Sequence, residues 1–365
     1  MINKLVIENL KHRWVRTLGS ALIVGILVAS IITLIGLSRG MLQESAARAK
    51  GTGADIVLRR DPGPTIALQT GPIQEKFLAV VRKKPHVAQA VGVLSQSVEL
   101  ITSMNGVNVP EFEKFSGGFH FLEGGPPKGP DDLVIDQEYS RQKNLHPGDT
   151  VKLLNHDWHI TGVVEGGMLA RFVVRLETLQ DLTGNTGRLT LIYVKLDDPA
   201  RADAEVANFN KDFAGDLQAM SMADMVSLFS INSIPQLQVF IKVITIMWVA
   251  VGFLVVFLSM YTAVVERTRE IGILKALGAK PLMIVDLLVR EAILLALVGW
   301  VFGIGIALVA RQVIVSVAPA SLNVINVPDF WPEAALIALT GALLGAIYPG
   351  LKAARHDAIE ALSYE

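Results

Sequence analysis

The chain has 365 residues, 51% of them hydrophobic and 18% charged, with a formal net charge of −1. Near-neutral charge gives no bulk field for nucleic acid, so none is expected as a partner. The absence of cysteine excludes structural disulfides and thiolate metal sites.

Residues 1–16 carry Lys4, Lys11, Arg13 and Arg16 against Glu8, while Ile2, Leu5, Val6, Leu10 and Trp14 recur at three- and four-residue steps. That pattern predicts an amphipathic helix on the membrane surface, in contact with lipid, with Trp14 at headgroup depth. Residues 17–38, 243–265, 292–310 and 334–351 hold no charged side chain. Each run approaches the ~20 residues that cross ~30 Å of hydrocarbon as a helix. Uninterrupted runs of this length exclude barrel strands. The first run exceeds the apolar core of about 7–15 residues typical of a signal peptide, and reads as an uncleaved span.

Between the first two runs lie nearly 200 residues, enough to bury a core of their own. Residues 54–60, 87–101, 133–136, 172–176 and 189–196 read as strands, and 73–84, 137–144 and 201–213 as helices. Residues 117–132, rich in Gly and Pro, read as a loop. Residues 149–154 and 158–164 read as a hairpin turning at Asn155 and His156. The expected fold is an α-helical membrane protein with four transmembrane helices and an extracytoplasmic α+β domain inserted between helices 1 and 2. Residues 224–238 are expected to continue helically into the second span as a stalk.

Short-loop Lys and Arg set the orientation. Arg267, Arg269, Lys275 and Lys280 lie between the second and third spans, and Lys352 and Arg355 follow the fourth. Residues 312–332 hold no Lys or Arg. The expected division is therefore a cytoplasmic amphipathic helix (1–16), first span (17–38), extracytoplasmic domain (39–236), and stalk end with second span (237–265). A cytoplasmic helix (266–281), third span (282–311), outer loop (312–332), fourth span (333–351) and cytoplasmic C-terminal helix (352–365) complete it.

Chemistry-bearing motifs are sparse. His156-Asp157-x-His159 suggests a metal pair, but a strand would point His156 and His159 to opposite faces. The chain holds no G-x-x-x-x-G-K-[ST], G-x-S-x-G or H-E-x-x-H, so no phosphate loop, active site or bound cofactor is expected. Gly299 with Gly303, and Gly341 with Gly345, have the spacing of close helix–helix contacts. Arg290, Glu291, Lys242 and Arg311 flank spans, where a structural role fits better than a proton relay.

One segment stands out. Residues 266–281 read ERTREIGILKALGAKP. Glu266 and Glu270 suit the positive end of a helix dipole and Lys275 and Lys280 the negative end. Gly278 supplies a C-terminal cap, and Pro281 suits the first turn of a following helix. Ile271, Leu274 and Leu277 form an apolar series at three-residue steps. A helix lying on lipid and a helix built to dock both fit this pattern.

The same residues resemble a known signature. ERTREIGILKALGA, 266–279, closely resembles the motif after the second span in the FtsX-like permease family of ABC transporters, the MacB/LolC or type VII architecture. YPGLKAARHDAIEALSYE, 348–365, resembles that family's closing motif, and GDTVKLLNHDWHITGVV, 148–164, is similar to a hairpin of its outer domain. Leu274 stands where the family often has a basic residue and Ala358 where it often has proline, although Asp357 and Glu360 keep a capping box.

The resemblance covers the whole chain and implies a non-enzymatic permease of the bacterial inner membrane, paired as a homodimer. Each copy would bind a separate ABC ATPase subunit, two in all, which holds ATP and Mg. The implied coupling-helix residues are Glu266, Arg267, Arg269, Glu270, Ile271, Leu274, Lys275, Leu277 and Gly278. It further implies export or extraction of a hydrophobic or lipid-like substrate by mechanotransmission, with a periplasmic adaptor as a further partner. The alternative is an FtsX-like signaller that activates an extracytoplasmic hydrolase.

Overall fold

The structure, a computed structural model, describes residues 14–60, 71–98, 102–318 and 322–355. Residues 1–13 of the amphipathic helix expected over 1–16, and the closing motif after Arg355 with Asp357, Ala358 and Glu360, lie outside them. The chain divides into two compact units, and Arg39–Pro235 with Ile314–Asn323 forms the second of them.

Helix α1 (Trp14–Lys50) belongs to the first, helical unit up to Ser38 and to the second, sheet unit beyond it. The sheet unit then runs β1 (Ile56–Arg59), β2 (Ile73–Gln74), α2 (Lys76–Val81), β3 (Val87–Ser97), β4 (Ser103–Val107), α3 (Val109–Ser116), β5 (Phe121–Gly124), β6 (Asp132–Asp136) and α4 (Gln137–Lys143). It continues through β7 (Thr150–Leu153), β8 (His156–Val164), β9 (Phe172–Arg175), α5 (Leu176–Thr183), β10 (Arg188–Leu189), β11 (Leu191–Leu196), α6 (Ala202–Asp212), β12 (Gln218–Ser221) and α7 (Met222–Leu228).

Among the described residues ten strands form one mixed sheet, in the order β12-β1-β11-β3-β4-β9-β6-β8-β5, with β7 paired to β8. Only the β4–β9 and β6–β8 pairs are parallel. Alternation along β1 sends Ile56 and Leu58 into one core and Val57 into another, so both faces of the sheet are covered. Leu78, Leu179 and Phe209, from α2, α5 and α6, pack on the first face with Trp158. Phe112 and Phe115 of α3 pack on the second with Ala49 and Met222.

The expected mixture of strands and helices is present, with local corrections. The 73–84 stretch opens as β2 before turning helical, the 117–132 loop contains β5, and Leu176 starts α5 rather than ending a strand. The β7–β8 turn falls one residue earlier than expected, at Leu154 and Asn155, with φ of 53° and 58°. Two successive positive φ values match the twist of the flanking strands. The helical stalk is also corrected: α7 ends at Leu228, a short 3₁₀ turn covers Ile231–Ser233, and the next helix starts at Pro235. Proline disfavours helical backbone in the residue before it, and Ile234 is extended at φ −116° and ψ 91°.

The helical unit contains α8 (Pro235–Glu266) from Gln236 on, α9 (Thr268–Ala276), α10 (Pro281–Val317) up to Val313, and α11 (Trp331–Arg355). Among the described residues α1, α8, α10 and α11 are long and apolar enough to cross a membrane. Glycines set the spacing. A Cβ on Gly299 would lie 2.7 Å from Val24 Cγ1, and one on Gly303 2.6 Å from Val28 Cγ1 and 2.9 Å from the Gly25 carbonyl oxygen. The first Gly-x-x-x-Gly pair is therefore the face on which α10 meets α1. A Cβ on Gly345 would lie 2.8 Å from the Phe253 carbonyl oxygen, so the second pair brings α11 against α8. Gly303→Ala should cost about 1–3 kcal/mol through forced separation of α1 and α10. Thermal unfolding of the purified chain checks this, with Gly305→Ala as the control because its Cβ meets nothing within 4 Å.

Candidate functional site

The 266–281 stretch folds as a short helix set off from its neighbours. α8 ends at Glu266, and Arg267 leaves helical geometry at φ −111° and ψ 15° before α9 begins at Thr268. Thr268 Oγ1 donates to the carbonyl oxygens of Val264 at 3.1 Å and Val265 at 2.8 Å, occupying acceptors at the end of α8. At the other end Gly278 takes φ +92°. Its N–H donates to the Lys275 carbonyl, and that of Ala279 to the Leu274 carbonyl. These paired bonds form a Schellman cap, which needs a left-handed residue at Gly278. Pro281 opens α10.

Three contacts anchor α9 and its surroundings. Arg267 Nη1 donates to Glu291 Oε2 of α10 at 3.3 Å, with side chains only 8% and 5% exposed. Lys275 Nζ donates to the Ala354 carbonyl oxygen at 2.7 Å, placing a cation on the last turn of α11. Lys352 of α11 stands 4.9 Å from the centre of the Tyr261 ring of α8. Ile271 is buried in the same apolar core as Ile284 and Leu288 of α10. The helix therefore has an inner face tied to α10 and α11.

Its outer face differs from the expected Ile271–Leu274–Leu277 stripe. Ile271 is buried, Leu274 half-buried, and Leu277 80% exposed. Steps of three fall short of a full 3.6-residue turn, so Ile271 and Leu277 sit about 120° apart around the axis. The outward apolar pair is instead Ile273 and Leu277, spaced by four, with Leu282 exposed just beyond. Glu266, Arg269, Glu270 and Lys280 are exposed around them, and Gly278 is exposed at the cap.

The expected coupling residues thus separate. Arg267, Ile271 and Lys275 face the helical unit, whereas Glu266, Arg269, Glu270, Leu277 and Gly278 face away. Ile273 was not among them, although its i,i+4 spacing to Leu277 is visible in the sequence. Nothing in the sequence pairs Glu291 with Arg267, 24 positions away.

In the sheet unit His156 and His159 have local partners. His156 Nε2 lies 2.9 Å from Asp131 Oδ1, and His159 Nδ1 lies 3.2 Å from Thr150 Oγ1. His156 packs edge-on against Trp158 at 4.8 Å between ring centres, while His159 is exposed on the opposite strand face. A denser cluster joins α1 to the sheet. Arg48 Nη2 donates to Glu44 Oε1 and Asp136 Oδ2, both at 2.8 Å, and Arg171 Nη2 donates to Glu44 at 2.6 Å. Asp136 Oδ1 also accepts the Tyr139 backbone N–H at 2.8 Å, capping α4. Sequence reading singled out none of these four charges, because they come from three separate stretches of chain.

Residues 17–211 match the MacB-like periplasmic core domain, and residues 242–358 the FtsX-like permease C-terminal domain. The chain belongs to the FtsX-like, MacB-type permease family. It is 26% identical over 397 residues to the macrolide export ATP-binding/permease protein MacB of Escherichia coli (strain K12), and equally to that of Shigella flexneri. Those alignments cover 96% of this chain but 58% of each relative, so the chain spans less than two thirds of their length. The periplasmic region of MacB from Actinobacillus actinomycetemcomitans aligns with 48% of this chain and 92% of that one, at 14% identity and a TM-score of 0.37. The extracellular domain of the ABC-type transporter YknZ from Gram-positive bacteria aligns at 15% identity and a TM-score of 0.36, over 45% of this chain and 98% of that one. Within this MacB-type chain, the FtsX-like match encloses α9, its three anchors and all of α10.

Proposed function

We propose that the chain is the permease subunit of an ABC transporter and that α9 is its coupling helix. The observation that supports this most is the division of α9 into two faces. Its inner face is tied to α10 by Arg267–Glu291 and to α11 by Lys275, while Ile273 and Leu277 are left uncovered among charges. A push on the outer face is thereby delivered to two helices at once. Hydrolysis would occur on a separate ATPase subunit, in two copies holding ATP and Mg, attached to a permease homodimer.

The reading places the protein in the bacterial inner membrane with both termini and α9 cytoplasmic and the sheet unit outside. The substrate class is a hydrophobic or lipid-like molecule, exported or extracted by mechanotransmission, for which a periplasmic adaptor is a further partner. Asp at both Ile273 and Leu277 tests the docking claim. Truncating well-buried apolar anchors at an interface costs about 2 kcal/mol or more, so the pair should weaken ATPase association at least about thirtyfold. Both positions are exposed, so thermal unfolding of the permease alone should stay unchanged. Undiminished co-purification of the ATPase would overturn the assignment.

A further inference from the structure

Within the helical unit, α8 and α11 meet along an aromatic seam. Phe253, Phe257 and Tyr261 recur at four-residue steps on α8, with successive ring centres 5.9 Å and 6.1 Å apart, and Tyr348 of α11 stands 5.8 Å from Phe257. A Cβ on Gly345 would lie 3.0 Å from the Phe257 nitrogen, so the glycine is what lets the two helices close here. Lys352 Nζ reaches across and donates to the Tyr261 hydroxyl at 3.3 Å, with its charge over the same ring. Tyr261 lies near the end of the uncharged run 243–265, and Lys352 directly follows the run 334–351. The seam thus passes from hydrocarbon depth to the boundary where charge begins.

The cations at this end of the seam differ from their neighbours. Arg267 pairs with Glu291, Arg290 with Asp286, and Lys275 is held by the Ala354 carbonyl. Lys352 and Arg355 are exposed, and among the described residues neither pairs with a carboxylate. Glu266, the single acid of α8, sits about 140° around the helix from Tyr261. On α11, Leu344, Tyr348, Lys352 and Arg355 are all exposed, and at 100° per residue they fall within about 80° of one another. Over roughly 16 Å of helix this one face changes from aliphatic to aromatic to cationic.

We propose that this seam binds an anionic phospholipid of the phosphatidylglycerol type. The order of chemistry along it is the order along such a lipid. An acyl chain lies against Leu344 and Phe257, the ester region sits beside the amphipathic ring of Tyr348, and the phosphate accepts from Lys352 and Arg355. Basic groups between helices at a membrane face take anionic headgroups. A zwitterionic headgroup brings a cation of its own, so two cations without an acid select for net negative charge. The inference rests on the membrane placement in the reading above and not on ATPase docking, which its test leaves out.

The full chain in detergent is mixed with equal amounts of dioleoyl phosphatidylglycerol and dioleoyl phosphatidylcholine, and native mass spectrometry reads the first lipid bound. Phosphatidylglycerol should be preferred about tenfold or more. Lys352→Gln with Arg355→Gln should weaken it about 25-fold, roughly fivefold per cation, and leave phosphatidylcholine little changed. Both positions are exposed, so the thermal midpoint should hold. Lys242→Gln, removing an exposed cation near the other end of α8, should keep the wild-type preference and so separates a site from diffuse attraction. Equal binding of the two lipids, an equal loss in Lys242→Gln, or wild-type preference in the double variant overturns the proposal. So does a dimer that excludes the phosphatidylglycerol its monomer binds, which would give this face to a second copy of the chain.

Discussion

Glu291→Ala is expected to destabilise the helical unit by about 3–5 kcal/mol, the usual cost of removing one partner of a buried ion pair. Arg267 and Glu291 are almost fully enclosed, and the alanine variant leaves the guanidinium buried without this acid. The pair also sits where α8 gives way to α9, so the loss should appear as disorder of α9 as well as a lower thermal midpoint. Replacing both residues with methionine should recover most of the stability, because the cost lies in keeping a guanidinium buried after this acid is lost more than in the missing attraction. Thermal unfolding of the two variants in nanodiscs checks this. A drop under about 1 kcal/mol for Glu291→Ala, the range of exposed pairs, would mean that the contact is solvated.

Ile271→Pro is expected to abolish coupling between ATP turnover and the permease. The Ile271 N–H donates to the Arg267 carbonyl at 2.9 Å, the bond that starts α9, and proline removes it. Proline inside a helix costs ~3 kcal/mol. Because Ile271 is also buried, Ile271→Val serves as the comparison, losing one methyl group for about 0.5–1.5 kcal/mol while leaving the backbone intact. Stimulated ATPase rate is the readout. Valine should run near the wild-type rate and proline at the rate of the free ATPase. A coupled Ile271→Pro variant would remove α9 from the transmission path.

The spans were legible because hydrocarbon imposes one rule, a continuous apolar stretch of helix, and α1, α8, α10 and α11 each contain one. Helix packing was legible where small residues recur at four, as Gly299 and Gly303 show. In the sheet unit β6 stood out as a short apolar run, Leu133–Ile135, between two aspartates, and α6 through the helical spacing of Ala202, Val206 and Phe209. β4, reading SMNGV, did not, because its burial is set by neighbours on both faces rather than by its own composition. The start of α3 was written in the sequence and overlooked: Asn108 caps it by accepting the Glu111 N–H, with Pro110 in the first turn.

In α9 the caps were legible and the direction was not. Gly278 and Pro281 fix where α9 ends and α10 begins, since each has a backbone property other residues lack. Which side chains face outward depends on Glu291 and the Ala354 carbonyl, which lie far along the chain. Arg267 and Arg269 are two residues apart and similar on paper, yet one is locked inside and the other is exposed. Long-range partners, rather than local propensity, decide the difference.

The most direct measurement uses the absence of cysteine from the chain. Leu277→Cys introduces a single thiol at the exposed apolar residue that caps α9, and Ser45→Cys places one on the sheet unit as a reference. Each variant is treated with a short thiol-to-amine cross-linker in the presence of its co-purified ATP-binding partner. The account predicts a permease–ATPase product from Leu277→Cys and none from Ser45→Cys. Failure of Leu277→Cys to link to an ATPase that remains bound would contradict it.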